Sequence, residues 1–168
     1  MKKIVKNSDV VHFTKVTRKL LDDYDAIILS GSHLSDREDI KNRLHHYQWV
    51  KSVDKPMLGI CAGHQIIGEI FGAKRFHKKE DAEGYYHIYI DERGPILKGI
   101  RSDFRVFERH TDSINLPRGF ILLGHSRVCD VEVMRHKSKP IYGVQFHPER
   151  SKKRVLENFV DIVKPVKT

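Results

Sequence analysis

Cysteine is scarce in this chain, with two residues in 168, which leaves no disulfide framework to read. Cys129 reads as a buried strand residue. A bridge from it to Cys61 is disfavoured in a reducing cytosol. No apolar run approaches the roughly 20 residues that span a bilayer. The start, Met1-Lys2-Lys3-Ile4-Val5-Lys6, is too polar for a secretory signal. A cytoplasmic chain without a membrane partner is therefore expected. A His-Glu-x-x-His motif is missing, and neither His45-His46 nor Cys61-x-x-His64 carries the flanking ligands of a zinc site. No metal and no cofactor are expected, despite eleven histidines. A P-loop pattern is missing too, so Gly68 and Gly72 read as helix-packing and helix-ending residues.

What the chain has in excess is positive charge, +9 in net terms. The basic residues are spread along the sequence, without an aromatic-rich basic groove, so nucleic acid is not expected as a partner. The densest cluster, Arg150-Ser151-Lys152-Lys153-Arg154, reads as a solvated face or a docking patch for an acidic protein surface.

The length suits one domain, residues 1–168, and the hydrophobic content of 39% suits a polar globule with a true core. Strand-like and helix-like segments alternate, which predicts an α/β fold with a mostly parallel central sheet flanked by helices. Val10-Val11-His12-Phe13 reads as a short strand and Lys15 to Asp23 as a short helix or loop. Tyr24 to Leu29 holds a continuous apolar run, as buried parallel strands do. Ser35 and Glu38 form a capping box for a helix to about Val50, with Ile40, Leu44, Tyr47 and Val50 on one face. Pro56 to Ile60 reads as the next buried strand. From Ala73 to about Met134 the pattern alternates, at Tyr86 to Ile90, Phe104 to Phe107 and Val131 to Met134, which predicts a small antiparallel addition. Turns are expected at Arg93-Gly94-Pro95 and Leu116 to Gly119. Ile141 to Phe146 reads as a strand and Val155 to Val163 as a closing amphipathic helix.

Gly59-Ile60-Cys61-Ala62-Gly63 joins the strand before it to a helix at His64 to Phe71. A Gly-x-nucleophile-x-Gly turn in that setting is a nucleophile elbow. A helix N-terminus there favours thiolate over thiol. Alone, the motif equally fits a tight turn with a buried, inert Cys. Downstream, Gly143-Val144-Gln145-Phe146-His147-Pro148-Glu149 supplies a general base, His147, and a carboxylate to orient it, Glu149.

Together these segments resemble the class I glutamine amidotransferases, whose glutaminase domains use Cys, His and Glu. Gly59 to Gln65 matches the nucleophile motif and Gly143 to Glu149 the His-Pro-Glu motif. Ile28-Leu29-Ser30-Gly31-Ser32 resembles the turn that supplies part of the oxyanion hole. Glu108 to Ile114, with His110-Thr111-Asp112, resembles the segment near bound glutamine. The resemblance covers roughly residues 10 to 160 and implies a flavodoxin-like core. It implies Cys61, His147 and Glu149 as catalytic groups, and backbone N–H groups of Ser32 and Ala62 as oxyanion donors. It implies Gly31, Gln65, His110, Thr111 and Asp112 around the glutamine. A finer likeness is to the glutaminase subunits of two-subunit GMP synthases found in archaea. It rests on His110-Thr111-Asp112, Ser126 to His136 and Lys139 to Phe146, and it implies an ATP-dependent synthetase partner that adenylylates XMP and receives ammonia. Two departures stand out. Ser32 replaces the second glycine of the family's oxyanion turn. Only Met1 to Asp9 precede the segment that Val10 to Phe13 resembles, so the first βα unit is expected to be missing. A stand-alone γ-glutamyl hydrolase and a non-catalytic regulatory subunit are the competing readings.

Overall fold

The computed structural model describes residues 4–31 and 42–164, side chains 78–80 excepted. Seven strands form one sheet among these residues, in the order β1-β2-β7-β6-β5-β3-β4. They are β1 Ile27–Leu29, β2 Met57–Ile60, β3 Arg75–Ile90, β4 Asp103–Ile114, β5 Phe120–Ser126, β6 Val133–His136 and β7 Ile141–Val144. The helices are α1 Arg18–Asp22, α2 Ala62–Ile70, α3 Pro148–Ser151 and α4 Lys153–Val163.

Three strands, β1, β2 and β7, run parallel. β2 and β7 are buried at every position. Strands covered on both faces need apolar or small residues throughout, which is why both read as unbroken apolar runs. The remaining strands pair antiparallel, and β3 and β4 form a long ribbon whose register shifts between His77 and Ala82. The α/β class expected from sequence is the one observed, with α2 and α4 as its main covering helices. α4 lays Val155, Leu156 and Phe159 into a core with Ile88, Val106 and Phe146. α2 packs Ile66, Ile67 and Ile70 against Leu29, Met57, Ile114 and Met134. Buried Asn158 pins α4 by donating to the carbonyls of Ile96 and Lys98, both at 2.9 Å.

Some local expectations change. Val10 to Phe13 is not a strand: Val10 stands 82% exposed and the chain turns through a 3-10 segment at Phe13–Lys15. Among the described residues no strand lies beside it, and the Phe13 ring instead packs on His46 and Tyr47. Leu44–Lys51 is a 3-10 helix, with Val50 fully buried; Ser35, Glu38 and Ile40 lie outside the described residues. β5 is a strand that the pattern does not announce, because its apolar run Phe120 to Leu123 does not alternate.

The glycines around the turn after β2 are demanded by close approach. A Cβ on Gly63 would collide with the Leu29 carbonyl, and one on Gly59 would come to 2.5 Å from the Gly63 oxygen. The first turn of α2 thus lies directly on β1 and β2. Gly63→Ala should therefore lose about 1–3 kcal/mol of stability by overpacking. The urea midpoint reads this, and an unchanged midpoint would mean that the helix can lift without cost.

Candidate active site

β2 and β7 are parallel neighbours, so their C-terminal ends open at the same edge of the sheet. Cys61 follows β2 and continues the ladder, its N–H donating to the Val144 carbonyl at 2.9 Å. His147 lies just past the end of β7, and its own N–H donates to the Phe107 carbonyl of β4 at 3.2 Å. Gly31, just past β1, completes the edge: a Cβ there would sit 3.0 Å from His147 Cε1 and 3.5 Å from Cys61 Cβ. Three adjacent strand ends thus bring Gly31, Cys61 and His147 together.

Cys61 is held at φ 50°, ψ −107°. A side chain is strained there, at a cost on the order of 1–3 kcal/mol. The turn aims the thiol off the sheet and starts α2 immediately behind it. Ala62, the first helical residue, has no carbonyl one turn earlier to receive its N–H, which suits it to the oxyanion role. The thiol lies 3.9 Å from the Arg109 carbonyl, and Gln145 Nε2 approaches the sulfur at 3.7 Å.

His147 Nδ1 and Glu149 Oε1 are 2.8 Å apart. That contact directs Nδ1–H to the carboxylate and leaves Nε2 for the thiol. The neighbouring Cys61 thiol, and then the Glu149 carboxylate, raise the imidazole's pKa to about 9 against the opposing effect of burial. Such a base holds a proton taken from sulfur at neutral pH. Burial draws Glu149 upward, but the hydrogen bonds from His147 and its own backbone together with the imidazole's charge prevail, and its pKa is lowered.

The segment Glu108 to Ser113 forms one wall. Gln65, 3% exposed, donates to the Asp112 carbonyl at 2.8 Å and to Gln145 Oε1 at 3.2 Å. Its amide nitrogen is therefore engaged in tying α2 to β4. His110 bonds Glu108 Oε2 at 2.7 Å and the Asp112 carbonyl at 3.0 Å. The Asp112 carboxylate faces Arg75 and His77. What β4 presents towards the thiol is thus backbone. Thr111 lies between these residues, half-buried. Ser32 lies outside the described residues.

Gln145 is the residue that sequence reasoning passed over. It is fully buried and links Gln65 to the sulfur. The signal was available: the strand reading of Ile141 to Phe146 puts Gln145 two positions before His147, with its side chain on the same side. His64 proves to be packing. Its ring fills the space over Gly143, where a Cβ would lie 2.5 Å from Nδ1. Burial first, then the nearby His110, lowers its pKa to about 3, so it stays neutral. Among the described residues, no group of three or more His, Cys, Asp or Glu is placed to hold a metal, and no helix is long and apolar enough to cross a membrane.

The sequence profile of the glutamine amidotransferase class-I family matches residues 2–162. The chain is 36% identical over 154 residues to a glutamine-hydrolyzing GMP synthase subunit of Methanosarcina barkeri, covering 89% of this chain and 79% of that one. It is 44% identical over 124 residues to the protein of the same name from Thermococcus kodakarensis, 73% of this chain and 64% of that one. In three dimensions it resembles a protein from Thermoplasma acidophilum described as a GMP synthase subunit, with a TM-score of 0.80 and 32% identity over 86% of this chain and 75% of that one.

Two outcomes follow from this geometry. Cys61→Gly should be more stable than Cys61→Ala by about 1 kcal/mol, because only glycine relaxes at that φ; chemical denaturation compares the two. The second concerns pH. His147 has a folded-state value of about 9, above the ordinary 6.5, so its contribution to stability is full below pH 6.5 and is lost as pH rises to 9. The urea midpoint of the wild type should fall over that window relative to His147→Gln, and parallel curves would exclude the coupling.

Proposed function

The chain belongs to the class-I glutamine amidotransferases, and from that membership we propose that it hydrolyses glutamine through Cys61, His147 and Glu149 and passes the ammonia to an ATP-dependent synthetase subunit, for the amination of XMP to GMP. The observation that carries the reading is the convergence of a strained thiol, an imidazole with a raised pKa and its carboxylate partner at the ends of two paired strands.

In this reading Cys61 Sγ gives its proton to His147 Nε2 and attacks the side-chain amide carbon of glutamine. The carbonyl oxygen becomes an oxyanion, stabilised by the backbone N–H groups of Ala62 and Ser32. One such donor is worth about 3 kcal/mol in the transition state. His147 returns the proton to the amide nitrogen, the C–N bond breaks and ammonia leaves. A γ-glutamyl thioester remains on Cys61. Water then attacks that carbon, with His147 taking its proton, and glutamate and free thiol are regenerated. Glu149 holds the imidazole's tautomer and stabilises the imidazolium. Backbone of Arg109 to Asp112 lines the place where the glutamine lies, with Gln65 and Gln145 fixing it from behind.

The amination of XMP is supported by the relatives' names, since the Methanosarcina and Thermococcus proteins are GMP synthase subunits. Glutamate release from glutamine should be detectable, should fall by about 10⁴-fold or more in Cys61→Ala, and should rise on adding the ATP-dependent component of a GMP synthase with ATP and XMP. Release indifferent to that component would point to a stand-alone hydrolase. A folded chain without release would favour a regulatory role.

A further inference from the structure

The β3–β4 ribbon leaves one face bare. Glu83, Tyr85, His87 and Tyr89 alternate outward on β3, opposite Arg109, Phe107, Arg105 and Asp103 on β4. The other face carries buried Ile88, Phe104 and Val106 into the core. On the bare face Tyr85 is 58% exposed. Four side chains are arranged there in a row. The Arg150 guanidinium lies 4.1 Å from the centre of the Phe107 ring. Phe107 and Tyr85 meet edge to face at 5.6 Å. The Arg105 guanidinium lies 5.7 Å from the centre of the Tyr85 ring. Neither Arg105 nor Arg150 has a carboxylate within ion-pair distance among the described residues.

We propose that this row, Arg105-Tyr85-Phe107-Arg150, is the centre of the surface on which the ammonia-accepting synthetase docks, and that the synthetase meets it with an acidic, partly apolar face. The inference rests on the glutaminase reading for the partner's identity. Tyr and Arg held in place by neighbours are the residues that carry most binding energy at protein interfaces, since little rotamer freedom remains to be lost. The charge selects the sign of the partner: two guanidiniums without carboxylates of their own, on a chain of net charge +9, call for an acidic surface. A single-stranded nucleic acid fits less well. Stacking bases need open ring faces, and here one face of each ring is taken by a guanidinium while the two rings also meet each other edge to face.

Position supplies the second argument. Phe107 is the residue whose carbonyl receives the His147 N–H, and its own N–H donates to Ser151 Oγ at 2.9 Å. Arg150 directly follows Glu149. Two residues along β4, the Arg109 carbonyl faces the Cys61 sulfur. A partner seated on the row therefore presses on the strand that holds both the imidazole and the thiol, and it borders the site from which ammonia departs.

The test is the dissociation constant between the chain and the purified ATP-dependent component of a GMP synthase, measured by calorimetry, beside Cys61-dependent glutamate release without partner. Tyr85→Ala combined with Arg105→Glu should weaken binding by about thirtyfold or more, with partner-free glutamate release within about twofold of wild type. Arg105→Lys should retain most of the affinity. Tyr89→Ala, on the same face but outside the row, should change it little, and raised salt should weaken the wild type. Unchanged affinity in the double variant overturns the proposal, as does absence of any wild-type complex, or displacement of the synthetase by oligo-dT. Loss of binding in a chain that shows no glutamate release in any form would uphold the docking face and overturn the glutaminase reading, so the two failures are distinguishable.

Discussion

The parallel pairing of β2 with β7 is the constraint on which the site depends. Register sets Gly59 beside Gly143 and Ile60 beside Val144, and the Cys61 N–H then bonds the Val144 carbonyl. One residue of slip would turn every side chain on β7 to the opposite face and carry His147 away from the thiol. The register is therefore defended by close packing. Gly143 has room for no side chain because His64 fills the space above it, and Gly63 lies on the backbone of β1. A fully buried, neutral imidazole supplies a rigid aromatic body there.

Behind the thiol the interior is polar, which is costly unless partners are found. Gln65, Gln145, His110 and Oε2 of Glu108 find them in one another and in the Asp112 carbonyl. Asp112 is in turn fixed from outside by Arg75 and His77. The consequence is that α2, β4 and the segment following β7, which are remote in sequence, are tied together through buried side chains.

Sequence made the chemistry more legible than the scaffold. The elbow and the His-x-Glu pair were readable because each is local: a few consecutive residues fix the turn at Cys61 and the contact between His147 and Glu149. Cys61, His147 and Glu149 are brought together as the motifs imply. Side-chain direction was not legible. That the Asp112 carboxylate turns to Arg75, and that Gln65 binds Gln145, depends on pairings between segments far apart in the chain. Val10 to Phe13 looked like a strand by composition alone, yet a strand exists only where a neighbour takes its hydrogen bonds. β5 escapes notice for the opposite reason. Its residues do not alternate, because parts of both its faces are covered.

Cys129 gives the site a further property. It is completely buried, and burial, followed by the nearby Glu132 carboxylate, pushes its thiol well above the ordinary value. The chain thus carries one thiol placed for chemistry and one sealed from it. Peroxide that converts Cys61 to a sulfenic acid finds no resolving cysteine within the molecule, so rescue rests with small thiols from solution before oxidation proceeds to the irreversible sulfinic stage. In redox terms the chain has a single point of failure, and it coincides with the thiol proposed as its nucleophile.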